Sequence, residues 1–161
     1  MKVLNFGSLN IDMVYSVDHV VRPGETTASA ELRYFCGGKG LNQSVALARA
    51  GMEVCHAGCV GADGGRLISL LRDNGVDTSL ITESESPSGH AIIQVDRDGQ
   101  NSILLFGGAN MEITPEQIEN AVGNFSAGGR LFLQNEINGI SEIISAAHEL
   151  ELEIVFNPSP F

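Results

Sequence analysis

The chain has 161 residues, 43% of them apolar, which is enough for one domain with a real core. Twenty acidic against nine basic side chains give a net charge of −11, and no window carries a Lys/Arg run; nucleic acid and anionic membrane surfaces are thereby disfavoured as partners. No apolar stretch approaches the ~18 residues of a membrane span, Met1–Gly7 lacks the apolar region of a signal peptide, and the odd cysteine count (Cys36, Cys55, Cys59) points to a reducing compartment, so a cytoplasmic location is expected.

Val3 to Phe6 is a short apolar run closed by Gly7-Ser8 and predicts a buried strand. Ile11 to Val17 and Ala28 to Phe35 are β-rich segments that can pair across the Arg22-Pro23-Gly24-Glu25 turn. Asn42 to Ala50 predicts a helix stopped by Gly51, and Val54 to Val60 a second apolar strand. Leu67, Leu70 and Leu71 give the buried stripe of a helix over Arg66 to Asp73, closed by Asn74-Gly75. Ser79 to Thr82 is a short strand. His90 to Val95 and Ser102 to Phe106 form a hairpin about the Asp98-Gly99 dipeptide. Thr114, Pro115 and Gln117 spell a capping box with proline at the first helical position. Leu131 to Leu133 is a strand, Ile140, Ile143, Ile144 and Ala147 mark a helix, and Glu153 to Phe156 is the last strand.

From residue 101 onward the order strand, helix, strand, helix, strand argues for a parallel sheet covered by helices. The strands at 11–17, 28–35 and 90–95 break that rhythm and belong in a small separate sheet. The expectation is therefore one α/β domain with a mainly parallel sheet and an inserted β lid. The last strand closes only five residues before the end of the sequence. Its edge would lack a partner, so the chain is expected to be incomplete or to be covered there by another chain.

The stretch Phe35-Cys36-Gly37-Gly38-Lys39-Gly40-Leu41-Asn42-Gln43 carries the most chemistry. Three glycines and a cation stand directly before a helix, where backbone amides favour negative charge and glycine permits close approach to a ligand. It is not a phosphate-binding P-loop, which needs Ser or Thr after the lysine and a wider glycine spacing. Nor is it a dinucleotide fingerprint, because Gln43 occupies the third glycine position. Asn10 and Asp12 are two apart and face the same way on an extended segment. A carboxylate accepts several hydroxyl protons and an amide both donates and accepts, so the pair suits a polyhydroxylated ligand. Standing alone, the two would more simply be a strand-end turn pair; Asn42 adds an amide at the helix start, where its plainer role is an N-cap. Glu136 follows the apolar run ending at Gln134. With Asn10, Asp12 and Asn157 it lies at the carboxyl ends of strands, where open α/β sheets bind ligands. Ala91 and Ile93 share a hairpin face and can supply an apolar wall. His19, His56, His90 and His148 show no metal-ligand spacing, Cys55 and Cys59 lack a completing pair, and no metal site is expected among them.

Taken in order, several stretches resemble the ribokinase family of carbohydrate kinases (the PfkB type). They are Gly7-Ser8-Leu9-Asn10-Ile11-Asp12, Pro23-Gly24-Glu25-Thr26, Gly37-Gly38-Lys39-Gly40-Leu41-Asn42-Gln43, Gly61-Ala62-Asp63-Gly64, Gly107-Gly108-Ala109-Asn110, Gln134-Asn135-Glu136 and Asn157-Pro158-Ser159-Pro160. The resemblance spans the whole chain. It implies a ribokinase-like three-layer α/β fold over 1–161, with lid strands within about 11–36 and 89–106 and with the C-terminal half missing. It implies transfer of the γ-phosphoryl group of ATP to a sugar hydroxyl, with Asn10, Asp12, Gly37, Gly38, Lys39, Asn42 and Glu136 holding a pentose or related sugar. It also implies a homo-oligomer formed through the lid strands. The catalytic base, its anion hole, the Mg²⁺-associated segment, most of the ATP pocket and a monovalent-cation loop would lie in the missing half. The 161 residues alone are then expected to be inactive and to bind neither ATP nor Mg²⁺ tightly. Two other readings stay open: a non-catalytic sugar-binding or dimerisation module, and, disfavoured by Gln43, a nucleotide-binding regulatory domain.

Overall fold

In the computed structural model, residues 2–160 are described; Met1 and Phe161 of the expected 1–161 unit lie outside them. The first strand, β1 (Lys2–Phe6), divides the core. Alternation along a strand sends successive side chains to opposite faces. Val3 therefore joins Leu41, Leu67, Leu71 and Val76 on one side, while Leu4 and Phe6 join Ile118, Leu131, Leu133 and Ile143 on the other.

The helices form the two outer layers. α1 (Lys39–Arg49) and α2 (Gly65–Asp73) cover the Val3 face, and α3 (Pro115–Gly123) and α4 (Ile140–Glu149) cover the Leu4 face. Each forms where its apolar stripe meets the sheet: Leu67 and Leu71 of α2 are fully buried, each worth roughly 2 kcal/mol of transfer free energy. The α3 start follows its sequence signal, with Thr114 and Gln117 exchanging both hydrogen bonds of the capping box and Pro115 at the first position.

Between the helix layers lies a five-stranded parallel sheet. It adds β4 (Glu53–Val60), β5 (Asp77–Glu83), β8 (Arg130–Gln134) and β9 (Glu153–Asn157) in the order β5-β4-β1-β8-β9. Edge strand β9 leaves Val155 and Phe156 exposed. No helix among the described residues is long and apolar enough to cross a membrane.

The remaining strands make the lid. β2 (Asn10–Ser16), β3 (Glu31–Gly37), β6 (Gly89–Val95) and β7 (Asn101–Phe106) form a separate four-stranded sheet ordered β3-β2-β6-β7. One assignment is corrected here. The strand that begins near residue 101 does not open the parallel α/β rhythm; it pairs antiparallel with β6. The short Asp96–Gln100 connection, with Gly99 at φ 78°, permits only a hairpin, which carries β7 into the lid. The lid's central pair, β2 and β6, is parallel, with Asp12 beside Ala91 and Val14 beside Ile93.

Candidate functional site

The lid joins the main sheet next to the carboxyl end of β1. There Gly7, Ser8 and Leu9 pass directly against the start of α1. Gly38 is the residue before that helix, at φ 97°, and a Cβ on it would lie 2.8 Å from the Ser8 carbonyl oxygen. A Cβ on Gly40 would lie 2.7 Å from the Gly7 Cα. Both contacts are tighter than a side chain can occupy, so these positions need glycine for reasons internal to the chain. The sequence reading assigned the glycines to approach by a ligand; the structure adds that Gly38 and Gly40 let two backbone segments pack on each other.

The amides at the start of α1 are spent within the chain. Lys39 N–H donates to Glu136 Oε2 at 3.0 Å, Gly40 N–H to Ser8 Oγ at 3.2 Å and Leu41 N–H to the Ser8 carbonyl at 2.9 Å. The negative charge that a helix N-terminus favours is supplied by the protein's own Glu136. Asn42 is not an N-cap. It is the fourth helical residue, exposed, and its side chain makes no hydrogen bond among the described residues.

Glu136 lies two residues beyond β8, and its side chain is 9% exposed. Its Oε2 also accepts the Ser8 hydroxyl proton at 2.6 Å, and its Oε1 pairs with Lys39 Nζ at 2.9 Å. Burial alone would push the Glu136 carboxyl up. The Ser8 hydroxyl, the Lys39 amide and the Lys39 ammonium outweigh it, and the net direction is down. Asp12 behaves oppositely: burial holds its carboxyl above the ordinary range, and the nearby negative charge of Glu136 adds to the effect. Gly37 makes room for this carboxylate, since a Cβ there would lie 2.7 Å from Asp12 Oδ1.

Asn10 is nearly buried at the first position of β2, where its Oδ1 accepts from Asn110 Nδ2 at 2.7 Å. Asn110 was not singled out from sequence, yet it is the joint between lid and core. It also accepts from Leu9 N–H at 2.9 Å and donates to the Leu9 carbonyl at 3.2 Å. Ser8 was missed as well. The only signals for either were their polarity within the short Gly7-Ser8 and Gly107–Asn110 stretches, which sequence alone cannot separate from turn composition.

The structure thus brings Asn10, Asp12, Gly37, Gly38, Lys39 and Glu136 together at the hinge of the lid. Ala91 lies beside Asp12 by register and Ile93 one step further along the same face. A cavity of about 220 Å³ opens here, bounded by Asn10, Asn110, Asn135 and Glu136 on its polar side and by Leu105, Phe106, Met111 and Ile137 on its apolar side. Asn157 turns back instead, its Oδ1 accepting the Ser159 amide at 3.1 Å.

The unspent hydrogen-bonding capacity of this cluster is specific. Asp12 accepts no hydrogen bond among the described residues, so both its oxygens are open. Asn10 keeps its amide N–H groups, Lys39 has donated one of its three ammonium protons to Glu136, and Glu136 retains an acceptor site on Oε1. Donors and acceptors in alternation beside an apolar wall match the edge of a polyol. Among the described residues no group of three or more His, Cys, Asp and Glu side chains converges to hold a metal ion.

Comparison with known proteins agrees with the fold. Residues 1–150 match the sequence profile described as "pfkB family carbohydrate kinase". The ribokinase of Haemophilus influenzae is 34% identical over 159 residues, which cover 96% of this chain and 52% of that protein. The crystal structure of ribokinase from Thermotoga maritima superposes with a TM-score of 0.86 at 36% identity, covering 98% of this chain and 53% of the other. The ribokinase of Arabidopsis thaliana, complexed with ribose and ATP, gives a TM-score of 0.80 at 27% identity, covering 99% and 54%. The chain spans about half the length of the curated relatives it matches.

Proposed function

The chain belongs to the pfkB family of carbohydrate kinases, and we propose that it forms the sugar-binding half and lid of an ATP-dependent sugar kinase acting on a pentose or related sugar. The observation that carries this reading is the open capacity of Asp12 beside Lys39 and Glu136, at a hinge where a lid can close. Asp12 accepts protons from sugar hydroxyls, and Lys39 and Asn10 donate to hydroxyl oxygens. Ala91 and Ile93 form an apolar wall, Gly37 and Gly38 lie where β3 meets α1, and Asn42 on the first turn of α1 adds a further amide. Closure of the lid excludes water, which would otherwise compete as phosphoryl acceptor. The relative crystallised with ribose and ATP supports ribose as the first sugar to test.

ATP supplies the phosphoryl group in such a reaction, and Mg²⁺ and a monovalent cation belong with it in the family resemblance. In this reading the chain's own part is to bind and orient the sugar. Phosphoryl transfer depends on positioning and charge stabilisation, and the base, anion hole and ATP pocket are assigned to a further half. Mixing the chain with ATP, Mg²⁺ and a panel of pentoses is expected to release no ADP above blank; robust turnover would refute the missing-half reading.

A second reading, a non-catalytic sugar-binding or dimerisation module, is favoured by the lid surface. Tyr34 and Phe35 on β3 and Ile103, Leu104, Leu105 and Phe106 on β7 are each about half exposed or more. Exposed apolar side chains on both edge strands of the lid, which also offer unpaired backbone, suit association with another chain. A homo-oligomer through the lid strands is compatible with either reading. Sedimentation of the chain against a variant with charged β7 side chains tests it. With three free cysteines, a cytoplasmic setting belongs to the same proposal.

A further inference from the structure

Beneath the sugar-side cluster lies a second set of polar side chains that sugar chemistry does not use. Asn5, Ser44 and His56 are fully buried. Polar groups at that depth are costly unless they are bonded. β1 pairs with β4 so that Asn5 and His56 stand side by side, and Ser44 of α1 bonds to both.

The direction of every hydrogen bond follows from chemistry. Asn5 Nδ2 spends its two protons on the Gly40 carbonyl at 2.8 Å and on Ser44 Oγ at 2.7 Å. The Ser44 hydroxyl therefore donates to His56 Nδ1 at 2.7 Å. A carbonyl can only accept, so the His56 proton sits on Nε2 and is given to the Gly7 carbonyl at 3.2 Å. Burial keeps this ring neutral, with its pKa pushed down to about 4. Upstream, Gln134 Nε2 donates to Asn5 Oδ1 at 2.8 Å. Gln134 Oε1 is buried without a partner among the described residues, so the well-satisfied part of the chain begins at Asn5.

Both ends of this relay hold backbone that carries the site. Gly7 precedes Ser8, which bonds Glu136; Gly40 follows Lys39, which bonds Glu136 twice. We propose that Asn5, Ser44 and His56 act as one positioning unit, gripping the Gly7 and Gly40 carbonyls and so fixing Ser8 and Lys39 around Glu136. None of the three touches substrate. The effect on sugar affinity rests on the reading above; the grip on the turn does not.

The test compares the chain with Ser44→Ala, His56→Phe and the double variant. Backbone amide exchange is measured by NMR, and D-ribose affinity by calorimetry. Each single variant strands a buried polar group, and the amides of Lys39, Gly40 and Leu41 are expected to exchange about tenfold faster. Amides of α3 and α4 are expected to keep their rates. The double variant is expected to add little to the worse single one, because one missing link already breaks the relay. The Kd for D-ribose weakens in parallel. Unchanged turn amides, an equal acceleration across α3 and α4, or fully additive effects would each overturn the proposal. If the unaltered chain binds no D-ribose, the sugar reading fails while the exchange rates still decide the positioning unit. Should His56→Phe fail to fold, Ser44→Ala, which removes one oxygen, decides it by the same rates.

Discussion

Ser8 and Glu136, 128 positions apart in sequence, are joined by a 2.6 Å hydrogen bond from Ser8 Oγ to Glu136 Oε2. The same Oε2 holds the first amide of α1. One carboxylate thus ties the lid hinge, the glycine turn and the end of β8 together, and it places its charge near Asp12.

That arrangement predicts how Glu136→Gln behaves. The amide keeps the shape but loses the charge that Ser8 and Lys39 address. Bonds to a charged group are worth about 2 kcal/mol each, so stability measured by urea unfolding falls by roughly that amount or more. The Asp12 carboxyl should also titrate lower in the variant, because burial remains while the neighbouring negative charge is gone. Carbon-detected NMR titration of Asp12 reads this directly; an unmoved Asp12 would mean that burial alone raises it.

Asn110→Ala leaves both polar groups of buried Leu9, together with Asn10 Oδ1, without their partner. The expected loss is about 3 kcal/mol in thermal or urea unfolding. Asn110→Asp is not expected to rescue it, since a carboxylate can accept from the Leu9 amide but cannot donate to the Leu9 carbonyl. A loss below about 1 kcal/mol would show that the hinge satisfies itself in another way.

His56 gives the fold a pH dependence of known sign. Burial lowers its pKa from 6.5 to about 4 in the folded chain. Between those values the unfolded chain binds the extra proton, so stability is full above pH 6.5 and falls as pH drops towards 4. The loss across that window is roughly 3 kcal/mol from this group. Urea unfolding at several pH values should show a steeper decline for the unaltered chain than for His56→Phe. Parallel curves would contradict the assignment.

The elements that local chemistry dictates were legible in the sequence. The capping box at Thr114 to Gln117, the Leu67/Leu71 stripe and the Asp98-Gly99 hairpin each act within a few residues and appear where expected. The fold class followed from the order of these elements. For β7 two sequence signals disagreed: the Asp98-Gly99 turn placed it in a hairpin with β6, as observed, whereas the strand–helix rhythm from residue 101 placed it in the parallel sheet, because an apolar strand followed by a helix reads alike in both cases and the turn decides. Asn10, Asp12 and Glu136 were legible as polar residues at strand ends. What occupied them was not, because the Ser8–Glu136 bond and the Asn5–Ser44–His56 relay join residues far apart in the chain, and no spacing encodes such contacts. The glycine run was visible, but its reason, backbone packing on Gly7 and Ser8, needed coordinates.

The central claim is that Asp12 stands open to receive sugar hydroxyls. Calorimetric titration with D-ribose, run on the chain and on Asp12→Ala, tests it most directly. Saturable binding that weakens by at least about tenfold in the variant is the predicted result, a loss of about 1.4 kcal/mol. Equal affinity in the two proteins, or no binding to the unaltered chain up to tens of millimolar sugar (on the scale of millimolar dissociation constants), would contradict it.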